Sequence, residues 1–429
     1  MWGRQIGAVS TDGPGMVATF EYTGAFARSG IEVAPLTMPL SRQIHTFPEL
    51  PQVSFHGLPG MLADALPDKF GNAVIDAWLA ALGRLPQDID AVERLCYTGT
   101  RGMGALEFKP SLGPQSRKST PVKVDALVAL AAEVLRSRQN LQASLADPGR
   151  EHALREILRV GASAGGARAK AVIAWNPKTN EVRSGQVKAP PGFEYWLLKF
   201  DGVSNNTDRD LADPQGFGAI EYAYSLMGRA AGIQMAECRL FEESGRRHFM
   251  TRRFDRLDGG EKLHMQSLAA LAHFDFNNPV AHSYEQALSV IRRLGLSMDN
   301  IEEQFRRMVF NVIARNQDDH VKNIAFLMDK LGRWSLSPAF DVMYAYNPSG
   351  TWTAMHQMSL AGKRDGFTFD DFKRVAETAS MKRGRAEAIT REVAAAVGRW
   401  REFAEQAGVL RDQIEKIGNA HKLDMLPKQ

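Results

Sequence analysis

The side chains best suited to chemistry lie in a polar stretch from Asn316 to Asn323, followed by a separate aspartate at position 341. The spacing Asp-x-x-x-x-Asn, with Asp318 and Asn323 at its ends, is typical of a catalytic base and a metal-binding amide in kinases. A further carboxylate completes such a set, because Mg²⁺ prefers oxygen ligands and bridges nucleotide phosphates. The pattern therefore predicts phosphoryl transfer, with Asp318 as the base and Asn323 and Asp341 as magnesium ligands.

The segments between these side chains indicate how they could meet. Residues 324–328 and 334–336 have the apolar character of short strands, and a glycine lies in the turn between them. We expect a hairpin, which would bring Asp341 back beside Asn323. Without the hairpin and the second carboxylate, Asp318 and its neighbours would indicate only Asx turns and helix caps.

Two neighbouring residues in the polar stretch, Asp319 and His320, indicate a function less specifically. For Asp319, capping or solvation is the favoured interpretation and direct chemistry the alternative. The lone histidine, His320, is expected to hold the loop through hydrogen bonds rather than to bind a metal.

A glycine-rich segment and a later lysine could bind phosphate. Residues 161–166 (GASAGG) contain glycines that let backbone N–H groups approach a phosphate, although the segment matches neither a Walker A loop nor Gly-x-Gly-x-x-Gly. It could equally be a flexible turn. Lys199, near the end of an apolar strand, follows it in the order of the phosphate-pairing lysine of kinases, but could simply reach solvent. Glu221 on the next predicted helix could pair with Lys199 or be a solvated surface residue.

Composition bounds the class of protein. The chain has 429 residues, of which 44% are hydrophobic and 24% charged, so we expect a globular protein of two or three domains or lobes. It has no apolar run long enough for a membrane span and no secretory h-region, and its two cysteines, Cys96 and Cys238, form no CxxC pair. A cytoplasmic protein is expected. The net charge of +4 permits a nucleic-acid or acidic partner without requiring one.

The order of predicted elements indicates the fold class. Strand-like segments, including residues 17–22 and 31–40, come first together with helices at 72–83 and 216–232, and mostly helical patterns follow residue 255. This order predicts an α+β, two-lobed, protein-kinase-like fold with a mixed β-rich N-terminal lobe and a mainly helical C-terminal lobe. We place the boundaries at residues 1–110 for an N-terminal subdomain, 111–256 for the rest of the nucleotide-binding upper lobe, and 257–429 for the helical catalytic lobe.

Several segments together resemble the HipA family of toxin kinases, and the resemblance spans nearly the whole chain. Residues 62–67 and 102–110 (GMGALEFKP) resemble the HipA-type N-terminal subdomain. Residues 161–170 (GASAGGARAK) resemble the family's phosphate loop, residues 252–256 (RRFDR) its hinge, and NQDDHVKN with LSPAFD its catalytic and metal segments.

The resemblance implies an ATP- and Mg²⁺-dependent serine/threonine protein kinase. It implies that Lys199 contacts the ATP phosphates, that the hinge segment Arg252 to Phe254 holds adenine, and that Ser163 is autophosphorylated. The phosphate would expel its loop from a site that holds ATP phosphates and switch the enzyme off. The remaining nucleotide-site positions that it implies are Gly165, Gly166, Ala167, Arg168, Ala169, Lys170, His320, Lys322, Asn323 and Asp341.

The resemblance also implies partners. These are a HipB-like helix-turn-helix antitoxin, operator DNA through the antitoxin complex, and a translation-related substrate such as an aminoacyl-tRNA synthetase, with glutamyl-tRNA synthetase as the first candidate. The chain departs from many relatives at Arg252, where an acidic residue or lysine is common. A small-molecule phosphotransferase and a degenerate kinase that acts as a co-repressor remain as alternatives.

Overall fold

A computed structural model describes residues 1–113, 121–137, 158, 168–203 and 216–425. The chain divides into two compact units. Unit 1 comprises Met1–Gln215, Phe241–Gln266 and Leu327–Arg333, and unit 2 comprises Gly216–Leu240, Ser267–Phe326 and Trp334–Gln429. In the described residues, no helix is both long and apolar enough to cross a membrane. The predicted boundaries at residues 110 and 256 stay predictions.

Unit 1 begins with a small antiparallel hairpin and a group of helices. The hairpin strands are β1 (Gly7–Ser10) and β2 (Thr19–Tyr22). The helices are α1 (Gln52–Phe55), α2 (Gly60–Ala63), α3 (Lys69–Ala81), α4 (Ala91–Thr98) and α5 (Val124–Ser137). Helix α3 begins after Asp68, whose carboxylate accepts a hydrogen bond from the backbone N–H of Gly71 at 2.6 Å and so caps the helix.

The main sheet of unit 1 has five strands in the order β4-β3-β5-β7-β6. Its strands are β3 (Lys170–Trp175), β4 (Val182–Ser184), β5 (Glu194–Lys199), β6 (Cys238–Glu243) and β7 (Arg246–Arg252). Helices α3 and α5 contribute to the same hydrophobic core as β3 and β5, in which Trp175 and Trp196 meet edge to face at 5.8 Å. This core fixes the strands that carry Lys170 and Lys199.

Unit 2 is mainly helical. Its helices are α6 (Phe217–Ala230), α7 (Leu268–Ala272), α8 (Tyr284–Arg293), α9 (Met298–Ile313), α10 (Phe369–Thr378), α11 (Arg385–Val397), α12 (Trp400–Gln406) and α13 (Arg411–Ala420). Tyr224 of α6 packs against Phe310 of α9 and Trp400 of α12 with ring centroids 6.2 and 5.3 Å apart. Helix α9 is thereby held at the centre of this unit, and the segment that follows it carries the predicted catalytic residues.

The remaining strands are β8 (His264–Ser267), β9 (Ala325–Met328) and β10 (Trp334–Leu336), in a sheet of order β10-β9-β8. The predicted hairpin is confirmed, because β9 and β10 are neighbours and the backbone N–H of Ser337 donates to the carbonyl of Ala325 at 2.9 Å. The hairpin returns the chain toward the start of β9, which follows Asn323. The predicted closeness of Asp341 and Asn323 depends on this return.

The strand predicted at residues 31–40 is wrong. This segment forms turns, in which the backbone N–H of Met38 donates to the carbonyl of Ala34 at 2.9 Å. Pro35 and Pro39 have no N–H to give to a strand ladder, so two prolines in ten residues oppose a strand despite the apolar side chains around them.

Candidate active site

The predicted catalytic loop follows α9 through a tight helix end. Arg315 adopts a left-handed conformation with φ 59°, and the next N–H, that of Asn316, donates to the carbonyl of Asn311 at 2.9 Å. This closure is typical of helix C-termini that end in a left-handed residue. Beyond it, the backbone N–H of Gln317 donates to the carbonyl of Ala345 at 3.1 Å. The loop therefore starts from a fixed direction rather than from a frayed helix end.

Asp318 and Asn323 lie close together in this loop. The Nδ2 amide of Asn323 donates to the backbone carbonyl of Asp318 at 2.9 Å. The Asp318 side chain is 42% exposed, and Nε2 of His320 lies 3.7 Å from its carboxylate. An accessible carboxylate on an anchored backbone suits a base that must reach a hydroxyl group of an incoming substrate.

Asp341 is fixed by its neighbours on the strand-like segment before it. The backbone N–H of Ala339 donates to the carbonyl of Gln234 at 2.7 Å, and the guanidinium of Arg307 donates to the carbonyl of Ser337 at 2.9 Å. Asp341 itself has a φ of 56°, a left-handed conformation that aspartate and asparagine adopt more readily than most residues. Such a conformation at a predicted metal ligand is typical of functional sites.

Asn323 and Asp341 line one cavity of unit 2. Its volume is about 30 Å³, enough for roughly two water molecules. Two further oxygens, Oδ1 of Asn316 and Oε1 of Gln304, belong to residues that line it, and both are buried without a hydrogen-bond partner among the described residues. Amide and carboxylate oxygens are the donor types that Mg²⁺ prefers, so the types of residue that line this cavity fit the metal.

Asp319 has a different environment from Asp318. Its side chain is 1% exposed, and its carboxylate accepts hydrogen bonds from the hydroxyl of Tyr284 at 2.6 Å and from Nδ1 of His356 at 2.7 Å. Burial opposes ionisation, but the charge of His356 and these bonds outweigh it and lower the pKa of Asp319. The favoured interpretation of Asp319 as a cap or a solvated residue is wrong, since the carboxylate is buried between side chains.

The other predicted residues of unit 2 are near this loop or on α6. The His320 side chain lines the same cavity, with its Nδ1 buried and without a hydrogen-bond partner among the described residues. The ammonium of Lys322 lies 4.1 Å from the ring centre of Phe276, a cation–π contact. Glu221 is 1% exposed, so its interpretation as a solvated surface residue is wrong.

Unit 1 carries Lys199, predicted to contact the ATP phosphates, and Lys170, predicted to line the nucleotide site. Lys170 and Lys199 are opposite partners in the antiparallel pair of β3 and β5. The ammonium of Lys170 lies 3.1 Å from Oδ2 of Asp68, near enough for an ion pair, although the angle is poor for a hydrogen bond. The ammonium of Lys199 lies 5.7 Å from the ring centre of Phe249. Both lysine side chains are buried, which is unusual for the residue type.

Only two of the remaining positions of the predicted phosphate loop lie in the part of the chain that the structure describes. Arg168 and Ala169 directly precede β3, with Ala169 buried. Ser163, Gly165, Gly166 and Ala167 lie outside the described residues.

The predicted hinge is part of a buried ionic network of unit 1. Arg252 ends β7, and its guanidinium lies 3.3 Å from the carboxylate of Asp258. Next to Phe254, the carboxylate of Asp255 accepts hydrogen bonds from Arg253 at 2.7 Å and from Arg256 at 2.7 Å. The same carboxylate accepts the backbone N–H of Gly104 at 2.6 Å. Residues of the N-terminal subdomain segment 102–110 therefore hold the hinge segment in place, a contact that no local sequence pattern could have indicated.

Two family models match the chain. Residues 1–109 match the HipA N-terminal domain, and residues 162–400 match the HipA-like C-terminal domain. No curated protein sequence matches it.

Two solved structures are similar to this chain. One is the Shewanella oneidensis MR-1 toxin–antitoxin complex of HipA, HipB and operator DNA, whose matching chain has 15% identity and a TM-score of 0.65, with 98% of this chain and 93% of that one covered. The other is the Helicobacter pylori proinflammatory kinase CtkA, with 11% identity, a TM-score of 0.34, and 54% and 89% of the two chains covered. The predicted α+β, kinase-like fold class is confirmed.

Proposed function

The chain belongs to the HipA family, and from that premise we propose that it is an ATP- and Mg²⁺-dependent serine/threonine protein kinase, the toxin of a toxin–antitoxin pair. One observation carries the proposal. Asn323 donates to the backbone of Asp318 and lines a cavity together with Asp341, so the proposed base and the two proposed metal ligands belong to one neighbourhood of unit 2.

In the reaction, the exposed carboxylate of Asp318 accepts the proton of a serine or threonine hydroxyl. The hydroxyl oxygen forms a bond to the γ-phosphorus of ATP, and the bond from that phosphorus to the oxygen bridging the β-phosphate breaks. Asn323 and Asp341 would hold magnesium, which would supply positive charge that neutralises the phosphates.

The resemblance to the HipA family supplies the nucleotide contacts of this proposal. Lys170 and Lys199 contribute two ammonium groups for the phosphates, with Lys322 near them. The backbone of Arg252 to Phe254 holds adenine, and Gly165, Gly166, Ala167, Arg168 and Ala169 are further nucleotide-binding residues of this proposal. His320 supports the loop beside Asp318, because its ring lies 3.7 Å from that carboxylate.

Ser163 is the regulatory position in this proposal. Its phosphorylation adds about −1.5 to −2 charge at neutral pH, which would repel the loop from bound ATP phosphates and switch the enzyme off. The partners are a HipB-like antitoxin, operator DNA through that antitoxin, and a translation component in the cytoplasm such as glutamyl-tRNA synthetase. The similar Shewanella oneidensis structure contains HipA with HipB and operator DNA, which supports the first two partners.

Incubation of the purified chain with labelled ATP and Mg²⁺ tests the proposal. We expect label on Ser163, loss of label in Asp318→Asn and Asp341→Ala, and normal labelling in Asp370→Asn, whose carboxylate is 84% exposed. An Asp318→Asn protein that labels normally would refute the assignment of the base. Turnover of ATP on small alcohols without protein labelling would favour a small-molecule phosphotransferase, and nucleotide binding without transfer a degenerate co-repressor.

The protein substrate needs a second measurement. Phosphoproteomics after induced expression should show sites that appear with the wild-type chain and are absent with Asp341→Ala. A site on an aminoacyl-tRNA synthetase is the expected result.

A further inference from the structure

Asp319 has no part in the reaction described above, yet it is among the most completely bonded side chains of the catalytic loop. In addition to the hydrogen bonds from Tyr284 and His356, it accepts the backbone N–H of Gln357 at 2.7 Å. Three donors satisfy a carboxylate that is 1% exposed. Such a group cannot reach a substrate, but it can fix the backbone of its neighbour, Asp318.

The same carboxylate is connected to the other end of the loop. Tyr284, which donates to Asp319, accepts a hydrogen bond from Nδ2 of Asn311 at 3.0 Å. The Oδ1 atom of Asn311 in turn accepts Nδ2 of Asn316 at 2.9 Å. All the donors and acceptors in this series are consistent in direction. Asn316 and Asp319 are therefore tied to each other through α8 and α9, with Asp318 between them.

The series of hydrogen bonds ends at Asn316, which lines the cavity that also contains Asn323 and Asp341 in its wall. Asn316 is 3% exposed, and its Oδ1 atom has no hydrogen-bond partner among the described residues, although the residue lines the cavity with Asn323 and Asp341. Its amide nitrogen is already used by Asn311, so the series determines which atom of Asn316 is left for the cavity. A change at Asp319 would reach both the base and the cavity.

His356 is a firm anchor for this arrangement. Its side chain is 1% exposed, and its ring meets that of Phe367 at 5.3 Å. Its backbone carbonyl accepts the guanidinium of Arg364 at 2.6 Å, and its N–H donates to the carbonyl of Arg364 at 3.1 Å. The two backbone hydrogen bonds fix the main chain of His356, and rotation of its ring away from Asp319 would break the contact with Phe367.

We infer that Asp319, held by His356 and Tyr284, is a positioning residue that sets the place of Asp318 and of the cavity-lining Asn316. This inference rests on the proposed kinase function. A displacement of about 1 Å at a reacting group can cost on the order of 100-fold in rate, so a neutral residue at position 319 should lower turnover more than nucleotide binding.

The test compares Asp319→Asn and Tyr284→Phe with a matched control, Asp371→Asn. Asp371 is another carboxylate of unit 2 with a side chain 2% exposed, and it pairs with Lys363 and Arg374 outside this series. We expect kcat for phosphate transfer to fall about 100-fold in Asp319→Asn, with ATP Kd changed less than about threefold. Tyr284→Phe should lower kcat by a smaller factor, on the order of tenfold, because two hydrogen-bond donors to Asp319 remain.

A merely structural role makes a different prediction. In that case Asp371→Asn and Asp319→Asn would lose similar thermal stability, and both variants would keep the wild-type kcat. Amide hydrogen exchange of residues 316–323 gives a second readout: protection should fall at least about tenfold in Asp319→Asn and stay unchanged in the control. Retention of more than half of the wild-type kcat by Asp319→Asn would overturn the inference.

Failure of the proposed kinase function can be distinguished from failure of the positioning role of Asp319. If the wild-type chain transfers no phosphate, the kinase proposal fails, and exchange protection alone decides the positioning role. Unchanged protection at residues 316–323 in both Asp319→Asn and Tyr284→Phe would then overturn it.

Discussion

Lys170 and Lys199 face each other across the antiparallel pair of β3 and β5, so both side chains project from the same face of the sheet. The two residues are 2% and 6% exposed. Like charges directly opposite each other destabilise a sheet, and burial adds a desolvation cost for each ammonium group. The carboxylate of Asp68, 3.1 Å from the ammonium of Lys170, offsets part of this cost. The phosphates of ATP would offset more of it in the proposed function.

Replacing either lysine should therefore have two separable effects. Lys199→Met should weaken ATP binding about tenfold or more through the loss of a charge-assisted bond. Lys170→Met should also lower stability, by about 3 kcal/mol, because the buried Asp68 loses its cation. Calorimetric ATP titration and thermal unfolding with and without ATP measure both effects.

The control for this pair is Lys178→Met, which changes an exposed lysine in the turn between β3 and β4. It should keep the wild-type ATP affinity and Tm. Equal ATP affinity in Lys199→Met and Lys178→Met would contradict the role assigned to Lys199.

The left-handed conformation of Asp341 makes a prediction that combines backbone and chemistry. Glycine at this position removes the Cβ penalty, whereas alanine keeps it, so Asp341→Gly should be more stable than Asp341→Ala by about 1 kcal/mol. Both variants should be inactive, because neither keeps a metal-binding oxygen. Urea unfolding measures the difference, and equal stability of the two variants would mean that the backbone does not need φ near 56° in solution.

The buried Asp255 predicts a large stability effect far from the reacting atoms. Burial opposes its ionisation, but Arg253 and Arg256 outweigh it and lower the pKa of the carboxyl well below its usual range. Asp255→Asn leaves two buried guanidinium groups without their anion, so we expect a loss of about 3 kcal/mol in the free energy of unfolding. Denaturant unfolding gives this value, and limited proteolysis should show faster cleavage near residues 102–104.

An exposed pair provides the contrast. Glu402 and Arg399 lie 2.9 Å apart with side chains 62% and 55% exposed, so Glu402→Gln should leave the free energy of unfolding almost unchanged. A similar small cost for Asp255→Asn would show that the buried network does not hold the hinge segment.

The parts of the fold that could be predicted from sequence are those with local signals. The helix predicted at residues 72–83 is α3, and the hairpin before Asp341 was indicated by two short apolar runs around a glycine. The spacing and residue types of Asp318, Asn323 and Asp341 indicated a base and two metal ligands, and these roles stay predictions. By contrast, the apolar side chains of residues 31–40 favoured a strand, and the missing N–H groups of two prolines decided against it.

The residues that sequence analysis missed act over long distances in the chain. His356 is 37 residues from Asp319, and Gly104 is 151 residues from Asp255. No periodicity or motif connects such positions, because the contact exists only once the helices and strands have packed. The polar stretch containing Asp319 therefore indicated chemistry for the whole segment, but not which of its two aspartates is buried.

Stability should also depend on pH through His264 of β8. This side chain is fully buried, and burial lowers its pKa to about 4, whereas an unfolded histidine has a pKa of about 6.5. Between these two values the unfolded chain binds a proton that the folded chain does not. The contribution to stability is therefore complete above pH 6.5 and is lost as the pH falls toward 4, reaching a loss of about 2 kcal/mol at pH 5.

His264→Gln should flatten this dependence, because glutamine has no proton to bind in either state. Denaturant unfolding at pH 7 and pH 5 measures the change, and the difference between the two pH values should shrink by about 2 kcal/mol relative to wild type. His56→Asn is the control: His56 is exposed and has a φ of 53°, which asparagine adopts readily. It should keep the wild-type pH dependence. If His264→Gln kept it as well, the imidazole would be protonated equally in the folded and unfolded chains, and its burial in β8 would not control the acid sensitivity of unit 1.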